Sequence, residues 1–160
     1  IQNTKNKLTG EYAKIYRQGK HIQPIKMHVD IKTIGEVELL HFMREKANKR
    51  KGLLVDLRSK AQYKKETIPS SVNIPASIKD NKVKLEKVLK ILGAKRAEDG
   101  TLDTSRVMDI AFYCHGLWCD QSSEVIKTFL DLGYPADKML YYRGGFQMWK
   151  ILGFTTVANK

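Results

Sequence analysis

A strand, a loop and a helix are predicted in succession between Ile110 and Gly133, where the chain reads IAFYCHGLWCDQSSEVIKTFLDLG. The apolar run before Cys114 is typical of a short strand buried on both faces. Apolar residues then recur at helical spacing from 125 to 130, and Gly133 suits the residue that follows a helix end. The stretch therefore predicts a strand that delivers Cys114 to its carboxyl end, followed by a polar loop and a helix.

The position of Cys114 between a strand end and a helix start has a chemical consequence. Asp120 and Ser122 are both candidates to cap the helix. Backbone N–H groups and the helix dipole favour an anion at such a place. We therefore expect Cys114 to be held partly or largely as a thiolate, the form in which cysteine is a nucleophile.

The rest of the chain alternates between predicted strands and helices, which argues for an α/β fold with a parallel sheet covered on both faces. Thr33 and Glu36 have the spacing of a capping box and predict the start of the first helix. The other predicted elements are an edge strand at 25–31, strands at 53–56, 72–74 and 139–142, an amphipathic helix within 79–96 that ends at Gly93, and a last helix at about 145–152.

Four sequence motifs occur in the order found in the rhodanese family of sulfurtransferases, which this chain resembles over about residues 30–157. They are Leu53-Leu-Val-Asp56-Leu-Arg58, Ile68-Pro-Ser-Ser-Val-Asn-Ile-Pro75, Phe112-Tyr-Cys114, and Tyr142-Arg-Gly-Gly-Phe-Gln-Met-Trp149. The resemblance implies a rhodanese-like α/β fold with a central parallel sheet of about five strands and helices on both faces. We expect a single rhodanese-like domain at 25–160, preceded by a basic lead-in segment at 1–24.

The resemblance also implies a catalytic role for Cys114, which would accept sulfur and become a persulfide. The loop after Cys114 is about two residues longer than the common family version and lacks its usual arginine. Arg58 and Arg143 lie, by the resemblance, at strand ends on the same sheet edge as Cys114, and they are the candidates to replace it. An ion pair with Asp56 or another carboxylate is the alternative role for each arginine.

The loop residues after Cys114 each have two open interpretations. His115 either acts as a cation near the sulfur or points to the surface, and Gly116 either lets backbone amides face the thiolate or makes a plain turn. Trp118 either walls the pocket or covers a neighbouring apolar surface, whereas Asp120 is assigned to helix capping, facing away from the sulfur, because a nearby carboxylate would raise the thiol pKa. The full set of active-site loop and substrate-binding candidates is His115, Gly116, Leu117, Trp118, Cys119, Asp120, Gln121, Ser122, Arg58 and Arg143.

Cys119 follows Cys114 with Cys-x4-Cys spacing in the same loop. The pair could close a disulfide if the backbone brings the two residues close enough, and Cys119 could instead be a second sulfur acceptor. A metal site is not predicted, because two thiols without two further ligands leave zinc half coordinated. We expect no cofactor.

Composition limits the classes of partner. The chain of 160 residues carries 29 Lys and Arg against 17 Asp and Glu, a formal net charge of +12. This charge reflects either a generally solvated basic surface or attraction of small anions or an acidic protein. Nucleic acid is not expected, because no aromatic residues interleave with the basic ones. No run of about 18 apolar residues exists, so no membrane span is predicted.

The sequence thus predicts a sulfurtransferase or sulfur carrier that takes sulfane sulfur from thiosulfate or polysulfide, a small anionic donor, and passes it to cyanide or to the thiol of a protein or small molecule. The alternatives are a thiol-disulfide redox protein that uses Cys114 and Cys119, and a rhodanese-like binding module with little turnover. The chain begins with Ile1 rather than Met. We therefore expect a processed or truncated product and a periplasmic location, with the cytoplasm as the alternative.

Overall fold

The computed structural model describes residues 22–159. In this part of the chain the strands are β1 (Lys32–Ile34), β2 (Gly52–Asp56), β3 (Ser71–Asn73), β4 (Lys95–Arg96), β5 (Leu102–Asp103), β6 (Asp109–Tyr113) and β7 (Met139–Tyr142). The α-helices are α1 (Glu36–Phe42), α2 (Lys60–Lys65), α3 (Lys82–Ile91), α4 (Gln121–Asp131) and α5 (Gly145–Ile151). A π-helical segment (Met43–Ala47) extends α1, and 3-10 helices (Ala76–Asp80 and Ala136–Lys138) precede α3 and β7.

Five strands form one sheet in the order β1-β7-β6-β2-β3, and every neighbouring pair is parallel. Strands β4 and β5 form a separate antiparallel hairpin. The central strand β6 pairs on one side with β2, where Asp56 lies opposite Tyr113, and on the other with β7, where Phe112 lies opposite Tyr141. Because the strands are parallel, the residues that follow β2, β6 and β7 meet at one edge of the sheet.

Side chains that alternate along β6 enter two different apolar clusters, one on each face of the sheet. Ile110 and Phe112 pack with the buried residues of α3 and α4, whereas Ala111 and Tyr113 pack with those of α1 and α5. A strand buried on both faces reads as a continuous apolar run. The predicted α/β fold, with a central parallel sheet and helices on both faces, is therefore confirmed.

The helix limits agree with the local sequence signals. The Asn81 side chain accepts a hydrogen bond from the Lys84 backbone at 3.0 Å and caps α3. Gly93 and Gly133 follow α3 and α4 with φ angles of +94° and +88°, which only glycine adopts without strain. Among residues 22–159, none of the helices combines the length and apolar character that crossing a bilayer requires.

The beginning of the domain differs from the prediction. Residues 25–31 form no strand, and the edge strand is instead β1 at Lys32–Ile34. The Thr33 hydroxyl does not cap a helix but donates to the Ile25 carbonyl at 2.6 Å, and α1 begins at Glu36 after Gly35. Most of the predicted lead-in, residues 1–21, lies outside the described residues.

Candidate functional site

Cys114 directly follows β6, the middle strand of the sheet, at the edge where β2 and β7 also end. Arg58 follows β2 and Arg143 follows β7, so the predicted placement of both arginines at the same sheet edge as Cys114 is confirmed. The predicted strand, loop and helix between Ile110 and Gly133 are confirmed as β6, residues 114–120 and α4. This edge of the sheet is where α/β proteins place their ligand sites.

The first turn of α5 holds the start of the Cys114 loop. The backbone N–H of Phe146 donates to the Cys114 carbonyl at 2.9 Å, and that of Gln147 donates to the His115 carbonyl at 2.7 Å. These amides belong to a helix N-terminus, where N–H groups have no partner within the helix. Gly145 allows the start of α5 to approach the loop this closely, because it has no side chain. Its φ is +62°, and an added Cβ would lie 2.7 Å from the Cys114 carbonyl oxygen.

The two cysteine sulfur atoms lie in direct contact. The Sγ atoms of Cys114 and Cys119 are 2.7 Å apart, and both residues are free thiols. Only 2% of Cys114 and 3% of Cys119 is exposed. The loop therefore brings the two sulfurs together in the apolar cluster that α3 and α4 cover.

The electrostatics of this pair correct the expectation that Cys114 is the resting thiolate. Burial, followed by the adjacent Cys119 sulfur, raises the pKa of Cys114 well above its usual range. A hydrogen bond from Cys114 lowers the pKa of Cys119, and hydrogen bonds from the His115 and Gln121 backbone N–H groups lower it further. The anion-stabilising amides of the loop thus serve Cys119 as well as Cys114, and the pair shares one negative charge at neutral pH.

His115 lies beside both sulfurs. Its Nδ1 atom is 3.1 Å from Cys114 Sγ and 3.7 Å from Cys119 Sγ. Its other ring nitrogen, Nε2, is 2.9 Å from the Nε2 atom of Gln62. Of the two open interpretations for His115, the structure supports the one in which the ring faces the sulfur.

Gln62 contacts the ring nitrogen of His115 that faces away from the sulfurs. The Gln62 Oε1 atom accepts hydrogen bonds from the backbone N–H and the hydroxyl of Ser59, at 3.2 and 3.0 Å. The Gln62 Nε2 and Oε1 atoms lie 2.9 and 3.1 Å from His115 Nε2; when the amide nitrogen donates to this atom, the neutral ring carries its proton on Nδ1. An Nδ1–H group 3.1 Å from Cys114 Sγ is a hydrogen-bond donor to the reactive sulfur even without a full positive charge.

Trp118 covers the other face of His115. The two rings stack with centroids 5.3 Å apart and planes 25° apart. Trp118 also packs against the apolar cluster that contains both cysteines. Gly116 is buried against α5, where an added Cβ would lie 2.5 Å from Gln147 Oε1 and 3.0 Å from Gln147 Cβ. Trp118 therefore both walls the site and covers apolar surface, and Gly116 permits the close approach of the loop to α5.

Asp120, Gln121 and Ser122 lie where the loop ends and α4 begins, and the Gln121 side chain faces a cysteine sulfur. The Gln121 Oε1 atom lies 3.3 Å from Cys114 Sγ and is an alternative acceptor for the proton of that thiol. Asp120 occupies the N-cap position of α4, as predicted, but its side chain makes no capping hydrogen bond. Ser122 is 1% exposed and lies in the first turn of α4, and Leu117 is half-buried.

Arg58 forms a buried ion pair with Asp56, the alternative role that the sequence left open. The Arg58 Nη2 and Asp56 Oδ2 atoms are 2.7 Å apart, and the two side chains are 3% and 0% exposed. Nη2 of Arg58 also donates to the Glu66 carbonyl at 2.7 Å, and the guanidinium lies 3.7 Å from the centre of the Phe146 ring. These contacts tie β2 to α5, and a direct role of Arg58 at the sulfur stays a prediction.

Arg143 contacts a residue of the predicted lead-in. Its Nε atom donates to the Gln23 carbonyl at 3.0 Å, and the Gln23 backbone N–H donates to the Leu117 carbonyl at 2.7 Å. Gln23 thus joins Arg143 to the middle of the Cys114 loop. The domain boundary after residue 24 stays a prediction, although Gln23 contacts the domain.

The structure places a third potential metal ligand, the His115 imidazole, beside the two thiols. One ligand atom from each of Cys114, His115 and Cys119 lies within 4.8 Å of the others. The four histidines of the sequence show no clustering at ligand spacing, so the sequence indicates only the two thiols as ligands. Thiolate and imidazole ligands prefer soft or borderline metals such as Cu(I) and Zn²⁺, but a structural zinc site takes four ligands.

Sequence reasoning missed two residues that hold the site, Gln62 and Gln147. Ser59 and Gln62 have the spacing of a capping box, and this signal was available for the start of α2. The contact between Gln62 and His115 spans 53 positions of the chain and leaves no sequence signal. Gln147 lies in the closing motif but is 7% exposed against Gly116, which only the fold reveals.

Comparisons with known proteins agree with this architecture. A family model described as Rhodanese-like domain matches residues 38–152, which is more than half of the chain. The structure of the BH2092 protein from Bacillus halodurans is 20% identical, with a TM-score of 0.58 over 79% of this chain and 77% of that one. A rhodanese-related protein from Thermoplasma volcanium is 21% identical, with a TM-score of 0.50 over 79% and 97% of the two chains.

The structure of a thiosulfate sulfurtransferase from Pseudomonas aeruginosa is 14% identical, with a TM-score of 0.56 over 81% of this chain but only 21% of that one. Structural similarity at sequence identities this low establishes only that the folds are alike. No curated protein matches the sequence significantly. The family model carries the assignment, and the chain belongs to the rhodanese-like domain family.

Proposed function

We propose that this protein is a sulfurtransferase or sulfur carrier that works through a persulfide on Cys114. It takes sulfane sulfur from thiosulfate or polysulfide and passes it to a thiol or to cyanide. The observation that carries the proposal is the position of Cys114 at the carboxyl end of the central strand, with the His115 Nδ1 atom 3.1 Å from its sulfur. The family assignment supports the same chemistry.

The first step needs a thiolate at Cys114, and the thiol pair can supply it. A proton shift across the 2.7 Å contact moves the negative charge from Cys119 to Cys114 without changing the charge of the pair. The Cys114 thiolate then attacks the outer sulfur of the donor. With thiosulfate, the bond between the two sulfurs breaks, the electron pair leaves with sulfite, and Cys114 keeps the transferred sulfur.

Hydrogen-bond donors at the site favour the charged states of this reaction. The His115 backbone N–H contacts both sulfurs, and the Nδ1–H group of the same residue faces Cys114. Such donors stabilise a thiolate or a persulfide anion because they are already oriented before charge develops. They take the place of the arginine that the loop lacks.

The proposed donor is a small anion, and the proposed acceptor is a thiol of a protein or a small molecule. The net charge of +12 favours approach of anions. The burial of Cys114 limits access to small reagents unless the loop moves. Both features support thiosulfate or polysulfide over a bulky neutral donor.

A second candidate function is a thiol-disulfide redox protein. The observation that favours it is the 2.7 Å contact between the two free thiols. Because a disulfide bond is about 2.0 Å long, little movement separates the reduced pair from the oxidised one. In this case the protein would exchange electrons with a dithiol or a disulfide and transfer no sulfur.

Sulfur transfer from thiosulfate and from polysulfide to cyanide and to a small thiol, measured for the wild type and Cys114→Ser, separates these candidates. A sulfurtransferase loses its activity with this substitution and keeps its fold. Retention of more than a few per cent of activity by Cys114→Ser would remove Cys114 as the nucleophile. No transfer by the wild type, together with rapid dithiol oxidation, would favour the redox protein.

A further inference from the structure

We propose that Cys119 resolves the Cys114 persulfide inside the protein, releasing the sulfur as hydrogen sulfide and leaving a Cys114–Cys119 disulfide. This inference rests on the proposed function, because it starts from the persulfide. It adds a further activity: the dithiol reduces sulfane sulfur to sulfide instead of handing it to an acceptor.

The distance between the thiols determines which sulfur Cys119 attacks. Its Sγ atom lies 2.7 Å from Cys114 Sγ, which becomes the inner sulfur of the persulfide. Thiol–disulfide exchange has two outcomes, depending on the sulfur that is attacked. Attack on the outer sulfur would move the persulfide to Cys119, whereas attack on the inner sulfur forms the disulfide. The existing contact is with the inner sulfur.

The step balances without an outside oxidant. Cys119 Sγ forms a bond to Cys114 Sγ, the bond between Cys114 Sγ and the transferred sulfur breaks, and its electron pair leaves with that sulfur as HS⁻. The proton of the Cys119 thiol goes to the leaving sulfur. Starting from thiosulfate, the reduced pair with its single proton and one thiosulfate ion give the disulfide protein, one hydrogen sulfide ion and one sulfite ion. An external dithiol then reduces the protein for another turnover.

Burial favours this internal route over an external acceptor. Cys114 and Cys119 are 2% and 3% exposed, so a protein thiol must displace the loop before it reaches the persulfide. Cys119 is already in contact, and an intramolecular thiol has a high effective concentration. The product HS⁻ is small enough to leave a site that admits its donor.

The surrounding groups match the needs of the step. The backbone N–H groups of His115 and Gln121 donate hydrogen bonds to Cys119 Sγ, and such donors stabilise the thiolate character that develops as its proton leaves. The His115 Nδ1 atom lies 3.1 Å from Cys114 Sγ and 3.7 Å from Cys119 Sγ, beside the two atoms between which the disulfide bond forms. The same three residues, Cys114, His115 and Cys119, therefore serve both steps.

The test is a single turnover of the reduced full chain with thiosulfate, without air or added reductant, in the wild type, Cys119→Ser and Cys119→Ala. Sulfite reports the first step, sulfide reports the second, and intact mass reports persulfide or disulfide. The wild type should release about one sulfide for each sulfite and lose both thiols. Both Cys119 variants lack the thiolate that accepts the Cys114 proton, so they should release sulfite more slowly; at the end point they should keep the added sulfur and release less than about a tenth of the wild-type sulfide for each sulfite.

The possible outcomes separate the two proposals. Wild-type protein that releases sulfite but keeps its persulfide and gives no sulfide would overturn the internal resolution and leave the sulfurtransferase proposal intact. A disulfide that forms equally without thiosulfate would also overturn it. If no sulfite appears from the wild type or from either variant, the persulfide step with thiosulfate fails, and the inference fails with it.

Discussion

The side-chain amide of Gln62 on α2 lies against the imidazole of His115, with its Nε2 and Oε1 atoms 2.9 and 3.1 Å from His115 Nε2. This contact connects a helix outside the loop to the group nearest the Cys114 sulfur. Since the amide offers both a donor and an acceptor, it can pair with His115 Nε2 in the neutral and the protonated ring. The Nδ1 atom that faces the sulfur carries a proton in the protonated ring, and also in the neutral ring when the amide nitrogen donates to Nε2.

Gln62→Leu should therefore impair the chemistry more than the fold. Loss of the contact lets the ring rotate or take the other tautomer, and we expect sulfur transfer to fall about tenfold, the effect of about 1.4 kcal/mol. Asn81→Ala is the control, because it removes the cap of another helix, α3, at a cost of about 1 kcal/mol and leaves the residues that orient Gln62 unchanged. Equal activity losses in the two variants would show that Gln62 acts only through helix stability.

Gly145→Ala should disrupt the connection between α5 and the Cys114 loop. Gly145 and Gly100 both have positive φ angles, +62° and +84°, so alanine causes similar backbone strain at each. At Gly145 the new Cβ would also lie 2.7 Å from the Cys114 carbonyl oxygen, whereas nothing lies within 4 Å at Gly100. Chemical denaturation should show Gly145→Ala to be less stable than Gly100→Ala by about 1–3 kcal/mol. Similar free energies of unfolding for the two variants would contradict this account of the loop.

Breaking the buried ion pair should strongly destabilise the fold. Asp56 accepts hydrogen bonds from Arg58 and from the hydroxyl groups of Thr67 and Tyr113, all away from water. Arg58→Met leaves the Asp56 carboxylate without its partner, so the free energy of unfolding should fall by about 3–5 kcal/mol. The exposed pair Glu86–Arg96 is the control, and Glu86→Gln should cost less than about 1 kcal/mol. A loss at Arg58 no larger than at Glu86 would contradict the structural role.

The two thiols should ionise at well-separated pH values. The folded pKa of Cys119 is lowered and that of Cys114 is raised. Thiolate absorbance near 240 nm should therefore rise by one thiolate below the usual cysteine pKa of about 8.5 and by the second only above it. In Cys114→Ala, which removes the hydrogen-bond donor to Cys119, the first step should move to higher pH. If both thiols instead ionise together near the usual cysteine pKa, the result would contradict the view that the pair shares one negative charge.

The same shifts make stability depend on pH. Because Cys119 ionises more easily in the folded than in the unfolded chain, its contribution is present above the unfolded pKa and is lost as the pH falls through the folded pKa. The contribution of Cys114 has the opposite sign: it is present below the unfolded pKa and is lost as the pH rises through the folded pKa. The difference in unfolding free energy between wild type and Cys119→Ser should therefore shrink toward acidic pH.

How much of the structure can be predicted from the sequence depends on how far apart in the chain the interacting residues lie. The continuous apolar run before Cys114 and the helical period after Asp120 are local patterns, and both predicted elements are present. Residues 25–31 also alternate, but the strand that pairs with β7 is Lys32–Ile34, because parallel pairing with Leu140–Tyr142 sets its position. Alternation indicates strand character but does not identify the partner strand.

The candidate site shows the same limit. Cys114 and Cys119 are identified by their spacing in one loop, but their direct contact depends on how α5 and Gly145 hold the loop. The pKa of Cys114 could not be deduced from a strand end and a helix start, because burial and the second sulfur outweigh the dipole. Gln62 acquires its role only from His115, 53 positions away, whereas the ion pair of Arg58 with Asp56 joins residues two positions apart and is among the alternatives that the sequence offers.

The central claim is that Cys114 accepts a sulfur atom, and mass spectrometry of Cys119→Ser tests it most directly. This variant lacks the second thiol, so a persulfide formed on Cys114 cannot be resolved within the protein. After incubation with thiosulfate or polysulfide and removal of the donor, we predict a mass gain of one sulfur atom, located by peptide mapping at Cys114 and absent from a Cys114→Ser control. An unchanged mass with both donors, in a folded protein whose Cys114 is reduced, would contradict the account.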